Sequence, residues 1–378
     1  MKFKVAIADC DSYSAVVVRD AFEQVLEPLG GLEWVQSGMK IAIKTNLVGK
    51  LKPESAAVTH PALLTELCRR LISRGAFVTV GDSPGGPWNP VWVNGIYSTS
   101  GVKVIEETGA KLNRDFSQRD IEFPDGYTAK NFPYTTWLSE ADEIIDFCKL
   151  KTHGLMGMTC AVKNFFGAIP GTRKPEFHYQ YSKIEDFSNM LVDLNQYIQP
   201  RLVVVDAIDC MEGNGPTQGS PRHMGALIAS NSTYAADILC AELIGFQSLD
   251  IPTTKAAYDR GICPASTAEI EIYGNWKKYV IPDFKKLPLP QTITFMQDSK
   301  LVNSFLEHAL HSRPKVMKDK CVGCGKCAEV CPGKTIVMTS GRADINRKKC
   351  IRCFCCQEFC PMGAIEVRRP LIARIISK

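Results

Sequence analysis

Two spacings of hydrophobic residues alternate along most of the first 250 positions of the chain. Short runs rich in β-branched residues predict strands at 5–8, 41–44, 77–80, 144–147, 202–206 and 226–229. Between them, apolar residues at helical spacing predict helices at 14–26, 60–73, 181–198 and 233–244. Thr59 stands where the N-cap of the second helix is expected, and Gly75 follows its end. This alternation predicts an α/β domain in which a mostly parallel sheet has helices on both faces.

The regular pattern stops near residue 272, and a different kind of sequence follows. Residues 281–290 contain three prolines, which is typical of a turn-rich connector. A cysteine-rich segment after the connector predicts a small α+β domain. We therefore expect an α/β domain at 1–272, a connector at 273–314, a small cysteine-rich domain at 315–368 and a tail at 369–378.

Polar, glycine-rich segments follow four of the predicted strands at the point where each strand ends. In a parallel sheet the carboxyl ends of the strands share one edge, and ligands bind beyond that edge. We expect the four segments to form one pocket whose lysines bind a small carboxylate or phosphate. The candidate binding residues are Lys44, Asn46, Asp82, Ser83, Lys149, Lys151, Asn164, Glu212 and Asn214. The alternative for each segment is a tight turn, and for each lysine a solvated surface position.

Three further residues are candidates for the chemistry itself. Lys163 lies in an apolar run, between Val162 and Phe165, where a lysine is either functional or a capping cation. His153 and His178 flank this run, and histidine is the side chain best suited to moving protons near neutral pH. Both histidines could equally be satisfied packing residues.

Cysteine is unusually frequent, with 16 in 378 residues. In a reducing compartment such an excess indicates metal or redox chemistry more often than disulfides. Eight of these cysteines form two C-x2-C-x2-C-x3-C-P runs, at 321–332 and 350–361. This is the bacterial ferredoxin run, in which the fourth cysteine of each run binds the other cluster. It predicts one 4Fe-4S cluster on Cys321, Cys324, Cys327 and Cys360, and a second on Cys350, Cys353, Cys356 and Cys331. Residues 315–368 are therefore expected to form a dicluster ferredoxin-like domain.

Two other interpretations concern the cysteines. Structural zinc is the alternative to the clusters, but zinc is usually held by two separated pairs of ligands, so the spacing favours clusters. Cys355 stands beside Cys356 and is expected to be a buried residue that points elsewhere, with a redox or alternative-ligand role as the alternative. Of the seven cysteines in the α/β part, Cys10, Cys148, Cys160 or Cys210 could supply a thiol nucleophile or a further ligand.

Charge is distributed unevenly, although the formal net charge is only +5. Residues 313–378 contain 15 Lys and Arg against 5 Asp and Glu. Part of this excess would neutralise the clusters, and the rest favours an acidic redox partner, either donor or acceptor. The basic residues are not interleaved with aromatic ones, which does not favour nucleic acid. Because no apolar run is typical of a membrane span or a signal peptide, we expect a cytoplasmic protein.

The segment at 149–167, Lys-Leu-Lys-Thr-His-Gly-Leu-Met-Gly-Met-Thr-Cys-Ala-Val-Lys-Asn-Phe-Phe-Gly, carries a family resemblance. With Gly81-Asp82-Ser83 before it and Glu212-Gly213-Asn214-Gly215-Pro216 after it, the chain resembles domain-of-unknown-function family 362 over residues 3–250. The ferredoxin-like tail completes a domain order common in that family. The resemblance implies a redox-active iron–sulfur protein, typical of anaerobes, and supplies no settled reaction.

A second resemblance is to the nickel-pincer lactate racemases. His153, Lys163 and His178 stand at separations of ten and fifteen, similar to a His, Lys and His in a Gly-rich loop of those enzymes. The resemblance implies that Lys163 anchors or neutralises a cofactor, with His153 and His178 as candidate base and ligand. We take it to indicate a shared fold and pocket rather than the nickel cofactor itself.

These observations lead to one hypothesis with two alternatives. The first is an iron–sulfur oxidoreductase in which two 4Fe-4S clusters relay electrons to a small anionic substrate or an unidentified cofactor in the pocket. The second is a non-catalytic electron-transfer module whose α/β domain docks a partner enzyme. The third is a racemase or hydride-transfer enzyme with a pincer-like cofactor.

Overall fold

The computed structural model describes residues 2–287 and 312–368, so most of the expected connector and all of the expected tail lie outside the described residues. The strands are β1 (Lys4–Asp9), β2 (Lys40–Lys44), β3 (Phe77–Gly81), β4 (Lys111–Leu112), β5 (Gln118–Glu122), β6 (Asn131–Thr135), β7 (Glu143–His153), β8 (Gly157–Thr159), β9 (Leu202–Glu212), β10 (Ser220–Ser230), β11 (Glu271–Tyr273), β12 (Arg313–Val316), β13 (Ile336–Thr339), β14 (Arg342–Ile345) and β15 (Ile365–Arg368). The helices are α1 (Ala15–Leu26), α2 (Pro61–Ile72), α3 (Pro90–Thr99), α4 (Thr136–Ser139), α5 (Ala161–Asn164), α6 (Lys174–Gln180), α7 (Ile184–Ile198), α8 (Thr233–Leu243), α9 (Pro252–Asp259), α10 (Lys326–Glu329) and α11 (Cys355–Glu358).

A nine-stranded sheet forms the first domain. Its order is β11-β1-β10-β9-β7-β2-β3-β4, with β8 folded back on the end of β7. Strands β9, β7, β2, β3 and β4 run parallel to one another, while β10 is antiparallel to both of its neighbours. The expected mostly parallel sheet is confirmed.

Hydrophobic cores cover both faces of this sheet. Along β7, Ile145 and Phe147 pack in the core that contains residues of α1, α2 and α3. Cys148 and Leu150 pack in the core that contains residues of α7, α8 and α9. Because successive side chains of a strand point to opposite faces, consecutive apolar residues such as those at 144–145 and 147–148 of β7 suit a sheet buried on both faces.

Several element boundaries differ from the prediction. Strand β7 runs on to His153, because residues 151–153 pair with β8 as well as continuing the strand. The helix predicted from 181 begins at Ile184, and a separate helix, α6, precedes it. The N-cap of α2 is His60 rather than Thr59, since His60 Nδ1 accepts the N–H of Ala62 at 3.2 Å. Thr59 instead donates its hydroxyl to the carbonyl of Phe147.

The second domain is small and is built around two antiparallel pairs of strands. Strand β12 pairs with β15, and β13 pairs with β14, both antiparallel. Helices α10 and α11 occupy equivalent positions in the two cysteine runs, and each carries the third cysteine of its run. The expected α+β character of this domain is confirmed.

The loop after β9 holds the two domains together. Thr217 Oγ1 donates to the carbonyl of Glu358 at 2.9 Å, and Gln218 Nε2 donates to that of Cys360 at 3.1 Å. In return, Gln357 Nε2 donates to the carbonyl of Asn214 at 2.9 Å. These bonds place α11 against the carboxyl edge of the large sheet. In the described part of the chain, no helix is both long and apolar enough to cross a bilayer.

Candidate active site

The thiols of the small domain fall into two sets. Burial raises the pKa of the Cys327 thiol, and the neighbouring Cys360, Cys321 and Cys324 raise it further. The first three cysteines of one run therefore lie beside the fourth cysteine of the other, as a bacterial ferredoxin requires. Burial likewise raises the pKa of Cys350, with Cys353 and Cys331 as its thiol neighbours.

Backbone N–H groups point at the sulfurs that would bind iron. The amide of Thr335 donates to Cys331 Sγ at 3.3 Å, and the amide of Ala364 donates to Cys360 Sγ at 3.2 Å. Such bonds stabilise thiolates and tune an iron–sulfur centre. Within residues 2–287 and 312–368, no three His, Cys, Asp or Glu side chains converge closely enough to hold one metal ion together. Thiol donors whose sulfurs accept amide hydrogen bonds fit an iron–sulfur centre.

A cavity lies between the carboxyl edge of the large sheet and helix α11. Its volume is about 90 Å³, and it opens into a wider cleft. Both domains contribute to its wall. The charged and titratable side chains that line it are Asp82, Lys151, His153, Lys163, Lys174, His178, Cys355 and Glu358.

Three lysines give the cavity its positive charge. Lys151, at the end of β7, is 1% exposed and donates to Asn46 Oδ1 at 2.6 Å and to the carbonyl of Ala57 at 2.8 Å. Burial lowers the pKa of Lys151 to about 7, and the charge of Lys163 acts in the same direction. Because its partners are neutral oxygens, Lys151 carries uncompensated charge when protonated.

The other two lysines both lie over one aromatic ring, that of Phe166. Lys163 Nζ, on α5, lies 5.5 Å from the centroid of Phe166, and Lys174 Nζ, on α6, lies 5.4 Å from it. Lys174 also donates to the carbonyl of Ser83. Burial lowers the pKa of both lysines, that of Lys174 to about 7. The ring face stabilises both ammonium groups without neutralising them.

His153 is held in one tautomer. Its Nδ1 accepts the backbone N–H groups of Leu155 at 3.1 Å and Met156 at 3.2 Å, so the ring proton is on Nε2. Nε2 lies 2.9 Å from Glu358 Oε1, although neither atom has a well-aligned hydrogen bond among the described residues. Burial, together with the nearby charge of Lys163, lowers the pKa of His153 to about 4. At neutral pH His153 is therefore a neutral donor facing the cavity.

His178 has an apolar setting. Its ring stacks on Phe187 with centroids 4.5 Å apart and an angle of 16°, and it meets Phe166 edge-on. Burial lowers the pKa of His178 to about 3. Its Nδ1 is buried and has no hydrogen-bond partner within the described ranges, so it is available to a ligand.

A polar network supports the floor of the cavity. Lys44 is fully buried and pairs with Asp82 Oδ1 at 2.8 Å, and it donates to Asn164 Oδ1 at 3.1 Å. Asn164 Nδ2 in turn donates to Asp146 Oδ1 at 2.6 Å. A Cβ at Gly167 would overlap Asp82 and Lys44, which explains a glycine at this position. The network fixes Asn164 and Asp82, which line the cavity, and leaves Lys44 already paired.

Four predicted binding residues lie elsewhere. Lys149 is buried against Asp206, at 2.8 Å, because the register of β7 against β9 shifts between residues 149 and 151. Glu212 pairs with Lys285 at 3.0 Å. Asn214 Nδ2 donates to the carbonyl of Ile365, so Asn214 joins the two domains. Ser83 is buried beside the cavity and offers Lys174 only its carbonyl.

Sequence reasoning missed two charged residues of the cavity and misplaced a third residue. Lys174 lay in a segment with no predicted helix. Glu358 lay in a cysteine run that was already explained by cluster binding, so its other residues were not considered. Cys355 is 2% exposed, as expected, but it lines the cavity instead of pointing away. One sequence feature did mark Glu358. A glutamate, Glu329, occupies the equivalent position in the first run, so both runs carry a carboxylate two residues after their third cysteine.

The α/β domain, the thiol sets and the shared cavity define a two-domain iron–sulfur protein. Residues 41–242 match the family described as Domain of unknown function (DUF362), and residues 313–361 match the 4Fe-4S dicluster domain. The first match covers more than half of the chain, which therefore belongs to the DUF362 family.

Two proteins illustrate what the chain is similar to. The thylakoid-associated protein sll1697 of Synechocystis sp. is 29% identical over 291 residues, which are 75% of this chain and 87% of that protein. The lactate racemase apoprotein of Thermoanaerobacterium thermosaccharolyticum has 12% identity and a TM-score of 0.35. That likeness covers 58% of this chain and spans 54% of the racemase chain.

Proposed function

We propose that the chain is an oxidoreductase that carries two 4Fe-4S clusters and acts on a small anionic substrate in the cavity. The observation that supports this most strongly is the shared wall. Helix α11 carries Cys356, a predicted cluster ligand, and its neighbours Cys355 and Glu358 line the cavity. An anion-binding cavity and a cluster site are thus built on one turn of helix.

The clusters, when bound, would supply single electrons. Their fusion to the α/β domain keeps them next to the cavity at a high effective concentration, which a separate ferredoxin would not provide. A docking module would not need a cavity lined by three lysines and two histidines beside this helix.

The charge of the cavity favours an anion. Lys151, Lys163 and Lys174 share the cavity with two carboxylates. Asp82 is already paired with Lys44, so Glu358 is left to balance the three lysines. Buried ammonium groups are costly unless they are paired, so a bound carboxylate or phosphate would complete their coordination. The small volume of the cavity favours a ligand of a few heavy atoms, such as a mono- or dicarboxylate.

The lysines are also better placed than the histidines to move protons. A group transfers protons most effectively when its pKa lies near the working pH, and Lys151 and Lys174 have pKa values of about 7. His153 presents an N–H and has a pKa of about 4, so its role is to donate a hydrogen bond to the substrate. Lys163, Asn46 and Asn164 would orient the anion, with His178 closing the apolar side.

Anaerobic purification with chemical analysis tests this proposal. We expect about eight irons and eight sulfides per chain, from two cubane clusters, and a small anion that mass spectrometry detects in the extract. Lys163→Met should retain the iron and lose most of the anion. Lys40→Met is the matched control, because Lys40 is exposed at the amino end of β2, the opposite edge of the sheet.

The contrary outcomes separate the alternatives. Full iron with no bound anion, and no change in Lys163→Met, would favour the electron-transfer module. Nickel with a lysine-linked pyridine group would favour the pincer-type enzyme. Fewer than about six irons in intact anaerobic protein would contradict the two-cluster assignment itself.

A further inference from the structure

The two thiol sets differ in their distance from solvent. Cys324, in the set with Cys321, Cys327 and Cys360, is exposed. In the other set, each of the four cysteines is buried or half-buried, and Cys356 lies on the helix that closes the cavity. One thiol set therefore adjoins the cavity, and the other reaches the outer surface.

Large apolar side chains surround the exposed set. Val322 is 62% exposed, Met362 is 50% exposed and Met338 is 39% exposed. These three residues line the hollow that the four thiols of this set surround, which is the expected site of their cluster. We call the surface formed by Val322, Met338, Met362, Lys320 and Lys326 the outer face. Exposed apolar side chains gathered in one place, rather than scattered singly, are typical of a protein interaction site.

The surface of the small domain is strongly basic. Among residues 312–368, nine exposed Lys and Arg stand against three exposed Asp and Glu. The basic residues are Lys318, Lys320, Lys326, Lys334, Arg342, Arg347, Lys348, Lys349 and Arg368. Lys320 precedes Cys321, and Lys326 lines the hollow itself. A partner that covers this face must bring negative charge.

We propose that the outer face docks a small acidic electron-carrier protein, whose carboxylates surround an exposed one-electron cofactor. Long-range attraction between the lysines and the carboxylates would steer the encounter, and the apolar centre would exclude water once the surfaces meet. One electron passes in each encounter. One protein is oxidised by one electron, the other is reduced by one, and no bond or proton is exchanged. This proposal does not depend on what binds in the cavity.

The rate of electron entry tests the docking. The probe is a purified, acidic, reduced [2Fe-2S] ferredoxin, and stopped-flow absorbance follows reduction of the anaerobic full-length protein. For the wild type we expect the second-order rate constant to fall at least tenfold between 20 mM and 300 mM salt. Lys320→Glu/Lys326→Glu should lower it by about ten- to hundredfold at 20 mM salt, and should remove most of the salt dependence.

Matched variants and a second reductant isolate the docking step. Lys40→Glu/Lys111→Glu makes the same charge change at the amino ends of β2 and β4, in the large sheet. This control should leave the rate within about twofold. Reduced methyl viologen, a small cation, should reduce all variants without a loss of rate. Met362→Gln should lower the ferredoxin rate about two- to fivefold at every salt concentration, because it removes apolar contact and no charge.

Three results would overturn the proposal. The first is a rate constant for reduction of the wild type by ferredoxin that does not change with salt. The second is an equal loss of rate in the outer-face and control variants. The third is binding of the wild type, but not of Lys320→Glu/Lys326→Glu, to phosphatidylglycerol vesicles while ferredoxin reduces both at the same rate. That third result would make the outer face a site for an anionic membrane surface.

Discussion

His153 and Glu358 meet across the boundary between the two domains. The Nε2 of His153, at the end of β7, lies 2.9 Å from the Oε1 of Glu358 on α11. Since Nδ1 of His153 is occupied by two backbone N–H groups, only the protonated Nε2 can face the carboxylate. The contact places one negative charge beside a predicted cluster ligand, in a cavity whose other carboxylate, Asp82, is paired with Lys44.

Glu358→Gln should strengthen anion binding in the cavity. The substitution keeps the size of the side chain and removes the carboxylate that is left to balance the cavity lysines, since the other lining carboxylate, Asp82, is paired with Lys44. We expect the affinity for malonate, measured by calorimetry, to rise about tenfold. Glu329→Gln is the control, because Glu329 occupies the equivalent position on α10 and is exposed. Equal affinities in the two variants would show that Glu358 does not act on the ligand.

Anion binding should weaken as the pH rises through about 7. Lys151 and Lys174 have pKa values of about 7, so both are cationic well below that pH and neutral well above it. Arginine stays protonated throughout this range, so Lys174→Arg should flatten the fall in malonate affinity between pH 6 and pH 8.5. The control is Lys40→Arg. A wild-type profile and a Lys174→Arg profile of the same slope would contradict the assignment.

Folding stability should depend on pH through Lys151. Its pKa is about 7 in the folded chain against an ordinary value of 10.5, so between these values the unfolded chain binds more protons. The free energy of unfolding therefore rises with pH in this window, by on the order of 2 kcal/mol between pH 7 and pH 9. Lys151→Met should show a smaller increase, because Lys174, whose pKa is also about 7, still titrates in this window. Thermal scans at fixed rate would detect the difference. If the stability of Lys151→Met rises with pH as much as that of the wild type, Lys151 is not a source of the pH dependence.

Gly167→Ala should destabilise the floor of the cavity. The new methyl group would overlap Asp82 and Lys44, which are held in a buried ion pair and cannot turn into solvent. We expect a loss of about 1 to 3 kcal/mol, seen as a lower melting temperature. Gly49→Ala is the matched control, since a Cβ there would have no atom within 4 Å. Equal melting temperatures would mean that the pair has room to move.

Iron content should separate Cys355 from its neighbours. Cys355 lies outside the C-x2-C-x2-C-x3-C spacing and faces the cavity, so Cys355→Ser should keep the full complement of iron. Cys353→Ser removes a predicted ligand and should lose up to half of the iron under the same anaerobic conditions. Loss of iron in Cys355→Ser comparable to that in Cys353→Ser would make Cys355 a ligand.

Much of the fold could be predicted because its signals are local. The apolar runs of β2 and β3 mark strands that are buried on both faces, and the parallel order follows from helices between them. The boundaries that failed depended on distant partners. Strand β7 extends through the polar residues Lys149 to His153 only because β8 and β9 supply hydrogen bonds there.

The candidate site divides in the same way. Lys151, His153 and Lys163 could be selected because polar residues after a buried strand gather at one edge of a parallel sheet. Lys149 could not be excluded from sequence, since the irregularity that separates it from Lys151 arises in the pairing with β9. Glu358 could not be included, because its place in the cavity depends on how the second domain docks.

The sequence by itself determined the cysteine runs, the alternating strands and helices, and the excess of positive charge near the C-terminus. These are matters of spacing and composition, which do not depend on the path of the chain. The tertiary structure decided which lysines share a cavity, and that α11 forms part of its wall. Those relationships join residues that are far apart in the chain, and only packing of the small domain on the loop after β9 brings them together.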